Sequence, residues 1–484
     1  MRARAFPLVH LSVLAIWFTI ALTLQLFAPL WWDELYTYER YIAQGPITVI
    51  TSDYHSNNHR LYSFLAAVIV KPFGASEAVL RLPAVIPTAA SAWLLGSGLR
   101  RWHGDVPAIA GMLLFCFSPL LLVWTPQARG YGLAVLASTV LLVSAHELAT
   151  DSGPRLAGRW LVALAVSTAV GIATLPHFVL VAAFTWLAVM ITRGRAAWHW
   201  SALVAMGTAV VAGAAIYVPG LPGHFGDLTS GTRGKGMALV DAIAGPFRFL
   251  VEGRSWGGPM RELVGPFAGL VTSAVAVLVL AGLVEGLRRR AMRPSALVLG
   301  LPVFGIFTLF AVRQVAIVDR TLLFLLPQLA LGVALGVAAI MQLVRDRGWR
   351  REWMRPVALG VLTMTIIAAV GAGGVMLSAW LRAPIEDYRL AVRTVLSEPG
   401  FEPVTDTRYV MGIAHYDKAG GIMRLSSEEV DALLCNDLGG SFAYLYQPIG
   451  RREPPPENCM TARGAFSVRI PQRHRGYFEV WFVP

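Results

Sequence analysis

The sequence is poor in charge and lacks several common landmarks. Only 14% of its 484 residues are charged, whereas soluble domains average about 25%, so a soluble globular protein is excluded. The chain has no internal repeats and no low-complexity segment. The apolar run from Leu8 to Leu30 is longer than the core of a secretory signal, and no A-x-A cleavage pattern follows it. The sequence therefore predicts a retained first membrane span.

What the chain does contain is a series of long apolar runs. Hydrophobic residues make up 56% of the sequence, and several runs exceed the roughly 20 residues that a helix needs to cross a bilayer. Pro176 divides the block 160–191, because a proline breaks the helical hydrogen-bond ladder. We predict eleven spans, at 8–30, 78–99, 106–125, 130–149, 160–174, 177–192, 198–218, 263–286, 294–312, 321–342 and 356–380. Segment 61–73 is too short to cross and should lie along the interface or dip in and return.

The distribution of arginine predicts the topology. The net charge of +12 comes from loops, so it indicates orientation in a membrane and not a nucleic-acid partner. With the N-terminus inside, the arginine-rich connections fall on one side, as the positive-inside rule requires. We expect a bacterial inner-membrane protein with a cytoplasmic N-terminus. The first outer loop would be 31–60, and a long glycine-rich outer loop, 219–262, would carry Arg233 and Lys235 near the lipid.

The composition changes after residue 380. Residues 1–380 form the predicted transmembrane domain, and 381–484 should form a soluble α/β domain on the outer face. There the pattern predicts a polar amphipathic helix at 384–400 and strands within "RYVMGIAHY", "SFAYLYQPI", "FSVRI" and "YFEVWFVP". Cys435 and Cys459 both lie in this domain, in a compartment where disulfides persist, so we predict that they pair. Cys116 lies in an apolar span.

Polar residues from distant parts of the chain fall on the predicted outer boundary. Ionisable groups at membrane depth are costly and indicate function. Here they would suit an anionic lipid headgroup, with arginine binding phosphate bidentately and a carboxylate acting as a base. The residues are Asp33, Glu34, Asp53, His55, His59, Arg81, Gln127, Arg129, His177, Arg313, Asp319 and Arg320.

The motifs in this set resemble a known family. "WWDELYTY", "NNHRLYSFL", "SEAVLRLPAVI" and "QARGYGLAVLAS" are similar to the GT-C membrane glycosyltransferases, in the group of protein O-mannosyltransferases and aminoarabinose transferases. The resemblance covers roughly 30–140, and more loosely 315–395 through "DRTLLFLLPQLALGVA" and "EDYRLAV". It implies transfer of a sugar from a polyprenyl-phosphate donor to an extracytoplasmic protein, polysaccharide or glycolipid, with inversion at the anomeric carbon.

The resemblance also implies roles for individual residues. Asp33 matches the family's catalytic acidic position and would act as the general base, and Glu34 completes the acidic pair. Arg129 matches the arginine near the carrier phosphate, and Arg320 and Arg81 are further phosphate candidates. The substrate-binding candidates in the same motifs are His55, Asn58, His59 and Tyr131. Arg60 stands where relatives often have proline, and it adds a candidate cation.

Several alternatives remain open. A carboxylate beside Trp31 and Trp32 can be a solvated helix cap next to interfacial anchors, and an arginine there can snorkel to headgroups. His55 and His59 are four residues apart and could share a divalent metal, although the sequence requires no cofactor. The alternative function is a transporter or flippase of lipid-linked sugars, but no inverted repeat is visible. A noncatalytic assembly subunit would leave the acidic pair without a role.

Overall fold

The structure is a computed structural model. It describes residues 5–53, 55, 57–150, 154–193, 196–219, 259–313 and 319–346, and in the C-terminal part 388–397, 399–406, 415–417, 420–425, 429, 433, 441–446, 465–471 and 477–483. The predictions made for Arg233, Lys235, the Cys435–Cys459 pair and the span 356–380 fall outside the described residues.

Helices dominate the described residues up to 346. In chain order they are α1 (Ala5–Leu24), α2 (Trp32–Thr37), α3 (Pro46–Thr51), α4 (Arg60–Phe73), α5 (Glu77–His103), α6 (Asp105–Cys116), α7 (Pro119–Trp124), α8 (Tyr131–Ala149), α9 (Pro154–Thr174), α10 (Phe178–Arg193), α11 (Ala196–Ala215), α12 (Pro259–Arg288), α13 (Arg293–Arg313) and α14 (Leu326–Asp346). Short 3₁₀ helices cover Gln25–Phe27 and Asp319–Leu325, and a π-helical turn covers Tyr38–Ile42.

Several of these helices are long and apolar enough to cross a membrane. Within the described residues the five that qualify by length and composition are Glu77–His103, Tyr131–Ala149, Ala157–Thr174, Arg293–Phe310 and Leu322–Asp346. A sixth is the pair Leu11–Phe27 and Trp32–Ile42, if that pair is one bent span. The prediction of a polytopic helical protein is confirmed, while the total of eleven spans stays a prediction. Segment 61–73 forms the single short helix α4, as its length suggested.

Two predicted spans are interrupted. The first one, 8–30, is helical only to Phe27, and α2 then leaves at an angle of 70°. The predicted span 106–125 is divided between α6 and α7, because Ser118 adopts an extended conformation (φ −64°, ψ 116°) just before Pro119. A residue before proline is disfavoured in the α region, which accounts for the break. Both interruptions lie near the predicted outer boundary.

Small residues allow the spanning helices to pack closely. A Cβ atom added to Gly132 in α8 would lie 2.1 Å from the carbonyl oxygen of Ala84 in α5. The same distance separates a Cβ on Gly336 in α14 from the carbonyl oxygen of Leu278 in α12. Close backbone approach at small residues is a general way of packing helices in membranes. The contact at Gly132 fixes α5 against α8, and both helices carry site residues.

The arginine-rich connections meet at one end of the helices, which we call the arginine end. There Arg101 pairs with Glu147 at 3.2 Å, Arg289 pairs with Asp346 at 2.6 Å, and the Arg193 Nε atom donates to the Leu148 carbonyl at 2.8 Å. The acidic pair at 33–34 lies at the opposite end, which we call the Asp33 end. This separation agrees with the predicted grouping of the loops, while the orientation of the chain in a membrane stays a prediction.

The C-terminal part contains a helix and a mixed sheet. Helix α15 (Tyr388–Leu396) precedes β1 (Glu402–Asp406), β2 (Met423–Leu425), β3 (Phe442–Tyr446), β4 (Phe466–Pro471) and β5 (Tyr477–Val483). The strand order is β2-β1-β3-β5-β4; β1 runs parallel to β2 and β3, and β5 runs antiparallel to β3 and β4. Three predicted strands are present. Most of "RYVMGIAHY" lies outside the described residues, and β1 and β2 lie in segments for which no strand was predicted.

This C-terminal unit packs directly on the Asp33 end. One buried apolar cluster joins Leu30, Leu35 and Tyr62 to Tyr388 and Val480. Continuous burial of apolar side chains removes both surfaces from water and so fixes the two parts together. The division into domains at residue 380 stays a prediction.

Polar contacts accompany this packing. Burial raises the pKa of the Tyr416 hydroxyl, so the group stays protonated and can donate to Glu77 at 3.4 Å. The same oxygen accepts the Leu30 backbone N–H at 2.9 Å, and His415 lies 3.0 Å from Glu39. The chain just before the acidic pair is therefore held by the C-terminal unit.

Candidate active site

The acidic pair lies at the start of α2. Trp31 precedes the helix in an extended conformation, and its backbone N–H donates to the Glu34 Oε2 atom at 3.1 Å. A glutamate at the third helical position commonly reaches back in this way to satisfy an unpaired N–H. Because adjacent helical residues point about 100° apart, Asp33 and Glu34 face different surroundings.

Glu34 is completely buried in an ion pair with Arg81 of α5. The Arg81 Nη2 and Nε atoms donate to the Glu34 Oε2 and Oε1 atoms at 2.7 and 2.9 Å, and the two side chains are 1% and 5% exposed. Oε1 also accepts the Ala128 backbone N–H at 2.6 Å. Arg81 donates further to the carbonyls of Gln25 and Pro29 at 2.9 and 3.0 Å. Both groups are saturated with protein partners.

The ion pair therefore connects three segments of the chain. It joins the end of the first span, the start of α5 and the turn before Arg129. This geometry favours a structural role for Glu34 and Arg81 over the catalytic and phosphate-binding roles expected from the sequence. The sequence alone could not distinguish these two structural residues from the neighbouring catalytic candidates, because the ion pair joins residues 47 positions apart.

We expect Arg81→Met to destabilise the protein strongly. The change leaves the Glu34 carboxylate buried without its cation, and breaking a buried pair in this way costs about 3–5 kcal/mol. The apparent midpoint of thermal unfolding in one detergent measures the effect. Arg100→Met is the matched control, since its pair with Asp105 is about one-third exposed and such pairs contribute at most about 1 kcal/mol. Equal losses of stability in the two variants would contradict the structural role.

Asp33 faces a different set of groups and remains partly accessible. The Arg129 Nη1 atom donates to the Asp33 Oδ2 atom at 2.8 Å, with side chains 2% and 15% exposed. Asn57 bridges the two, because its Nδ2 atom lies 3.4 Å from the Asp33 Oδ1 atom and its Oδ1 atom accepts from Arg129 Nη2 at 2.9 Å. The structure thus brings together residues that are up to 96 positions apart. Asn57 was not among the predicted site residues, although it adjoins Asn58 in the quoted motif.

His59 and Tyr131 enclose the other side of the Arg129 guanidinium. The His59 Nδ1 atom accepts the Gly130 backbone N–H at 2.9 Å, and its Nε2 atom lies 3.3 Å from Arg129 Nη2. The guanidinium carbon lies 5.0 Å from the centre of the Tyr131 ring, within the range of a cation–π contact. A Cβ atom on Gly130 would lie 2.8 Å from His59 Nδ1, so this turn requires glycine. The signal for Gly130 was present in "ARGY" but was not singled out.

One donor atom of Arg129 is unsatisfied. Its buried Nε–H has no hydrogen-bond partner among the residues that the structure describes. Leaving a buried donor unsatisfied costs about 1–3 kcal/mol. An oxygen ligand that reached this buried N–H would therefore remove the cost of leaving it unsatisfied.

Three of the other candidates have structural partners. Asn58 donates to the Val49 carbonyl at 3.1 Å. The His55 ring packs against Tyr36 at 4.9 Å. Arg60, expected as an extra cation for phosphate, is instead buried and donates to the carbonyls of Ile216 and Ser52 at 2.8 and 2.7 Å. Arg320 belongs to the 3₁₀ helix Asp319–Leu325, and its side chain lies outside the described part of the structure.

The shared-metal hypothesis for His55 and His59 gains no support. The two rings have different partners, since His55 Nδ1 accepts from the Asn57 backbone and His59 Nδ1 accepts from Gly130. Among the described residues, no group of three or more His, Cys, Asp or Glu side chains could hold a metal ion.

The described helices have the architecture that the motifs implied. They form a bundle of apolar helices, with the acidic pair just after the first of them and the short helix α4 after that pair. The similarity to known structures supports this architecture. No protein-family model and no curated protein sequence matches the chain.

Two crystal structures of ArnT from Cupriavidus metallidurans resemble the chain over almost its full length. The apo form aligns with 99% of this chain and 98% of its own, at 13% identity and a TM-score of 0.53. The form bound to undecaprenyl phosphate has the same coverage, at 12% identity and a TM-score of 0.52. At this identity the likeness establishes the fold, and the predicted GT-C fold is confirmed.

Proposed function

We propose that the protein is a membrane glycosyltransferase that takes a sugar from a polyprenyl-phosphate donor. Asp33 acts as the general base and Arg129 binds the donor phosphate. The observation that carries this proposal is the pairing of a partly exposed carboxylate with a buried arginine at one end of a GT-C helical bundle. Each group has the chemistry that its role requires, because arginine binds phosphate oxygens bidentately and a carboxylate can accept a proton.

The transfer step follows from these two groups. The acceptor hydroxyl or amine attacks the anomeric carbon of the donor, and its proton passes to the Asp33 carboxylate. The bond between the anomeric carbon and the phosphate oxygen breaks, and the polyprenyl phosphate leaves with the electron pair. Attack opposite to the leaving group inverts the configuration. Arg129 stabilises the charge that builds on the phosphate oxygens as this bond breaks.

The location of the pair suits a lipid-borne donor. Asp33 lies just after the end of the first span, and Arg129 lies just before the start of α8. A donor anchored in the bilayer and an acceptor in water can meet at such a boundary. One ArnT crystal structure contains undecaprenyl phosphate. We propose that the present chain binds a carrier of the same chemical type.

Neighbouring residues would hold the reacting groups in place. We assign Asn57 and His59 to positioning Arg129, Tyr131 to its cation–π contact, and the Glu34–Arg81 pair to fixing both segments that carry the reacting groups. Electrostatic catalysis depends on groups that are held before the reaction begins. The C-terminal unit packs on this region, and we propose that it faces the extracytoplasmic acceptor.

A direct test uses purified protein and a panel of polyprenyl-phosphate sugars. Mass spectrometry of the lipids follows both retained donor and released polyprenyl phosphate. We expect the donor of one sugar to be retained selectively. When a suitable acceptor is added, polyprenyl phosphate should be released from that donor. Retention and translocation without cleavage would favour the flippase alternative. No retention of any carrier would overturn the proposal and leave the ArnT likeness as one of fold only.

A further inference from the structure

At the arginine end, a second feature lies far from the proposed active site. A cavity of about 640 Å³ opens between the end of α8, the end of α10 and the turn that leads into α13. Its described lining residues are Ala149, Thr150, Ile191, Thr192, Arg193, Arg290, Ala291, Arg293, Pro294 and Leu297. Ligand cavities in proteins span a similar range of volumes, about 300–1,000 Å³.

Two exposed arginines of this cavity have no carboxylate partner among the described residues. Arg193, Arg290 and Arg293 line it, and its described lining contains no acidic residue. Arg290 and Arg293 form no hydrogen bond or ion pair with any residue that the structure describes, whereas Arg193 is fixed through its Nε atom to the Leu148 carbonyl. Uncompensated like charges repel one another, so a ligand that brings negative charge would stabilise the arrangement.

Other arginines at this end differ in this respect. Arg100, Arg101 and Arg289 each pair with a carboxylate, at Asp105, Glu147 and Asp346 respectively. The charges of these three arginines are paired, whereas Arg290 and Arg293 have no carboxylate partner among the described residues. The first turn of α13 adds to the positive charge at the cavity, because Arg293 begins that helix and the N-terminus of a helix carries a partial positive charge.

The depth of the cavity and its apolar residues indicate the source of the anion. The cavity lies where the spanning helices end, at the level expected for lipid headgroups. Ile191 lies in the lining and is 52% exposed, and Leu297 contributes a second apolar side chain. Basic cavities between membrane helices on the cytoplasmic side are suited to anionic headgroups. We propose that this cavity binds the phosphate of an anionic phospholipid from the adjacent leaflet, a site separate from the donor site at the Asp33 end.

The proposal is tested with the full protein in nanodiscs of phosphatidylcholine containing a minor fraction of phosphatidylglycerol or cardiolipin. Native mass spectrometry after extraction measures the anionic lipid that remains bound. The variant is Arg290→Gln with Arg293→Gln, and these exposed side chains have no described partner whose loss would impair folding. The control is Arg288→Gln, which is also exposed and lies outside the lining.

We expect the wild type and the control to retain the anionic lipid, and the double variant to bind it at least about tenfold more weakly. Thermal unfolding gives a second measurement, since a ligand that binds only the folded state raises the midpoint. Equal retention by wild type and double variant would overturn the proposal. An equal rise of the midpoint with inorganic phosphate alone would also overturn it, because the site would then bind free anions and not a lipid.

Discussion

Asp33→Asn is expected to lower the rate of sugar transfer by about 10²–10⁴-fold, the usual contribution of a positioned general base. Asparagine has nearly the same shape, and its amide oxygen can still accept a hydrogen bond from Arg129, so the local structure should persist. The amide cannot take the proton of the acceptor. Release of polyprenyl phosphate from the donor that the panel identifies measures the rate, and donor binding should be retained.

The matched control is Asp53→Asn. Asp53 is an exposed carboxylate in the same outer loop, and no contact of its side chain with Asp33 or Arg129 is seen among the described residues. Its substitution should leave the rate within about twofold, as is usual for surface positions away from a site. Full activity of Asp33→Asn beside an active control would falsify the assignment of Asp33 as the base. Loss of donor binding in Asp33→Asn would instead indicate a role in fixing Arg129.

The sequence predicted the general position of the site better than the side-chain pairs within it. Topology alone was enough to bring Asp33, His59 and Arg129 to one end of the bundle, because the sidedness of each loop follows from the count of spans. Which carboxylate pairs with which arginine depends on side-chain packing across α2, α5 and the turn before α8. For that reason the saturation of Glu34 by Arg81 and the backbone contacts of Arg60 were not predictable.

At two positions the residue type itself predicts the local backbone structure. Pro119 lies inside the predicted span 106–125, and the break before it follows from the restriction on the preceding residue. Gly130 directly follows the phosphate candidate, and the absence of a side chain there permits the contact with His59. The sheet was predicted in part, since three strands with alternating patterns were found, whereas β1 and β2 depend on pairing between distant segments.

Arg129→Lys is expected to lower the transfer rate by about 10²–10³-fold, the effect of removing one charge-stabilising donor from an active site. Lysine keeps the positive charge but replaces the planar fork with a single ammonium group. That group cannot reach Asp33, Asn57 and a phosphate oxygen in the same geometry. The measurement is donor retention by mass spectrometry together with the rate, and both should fall.

The comparison between the two variants makes the assignment specific. Asp33→Asn should separate chemistry from binding, whereas Arg129→Lys should impair both, because only Arg129 is proposed to contact the phosphate. Arg40→Lys, at an exposed arginine in the same outer loop, controls for a general loss of the guanidinium group. If Arg129→Lys retained the donor as well as the wild type does, the phosphate would have to bind elsewhere. Arg129 would then serve only to hold the Asp33 carboxylate in place.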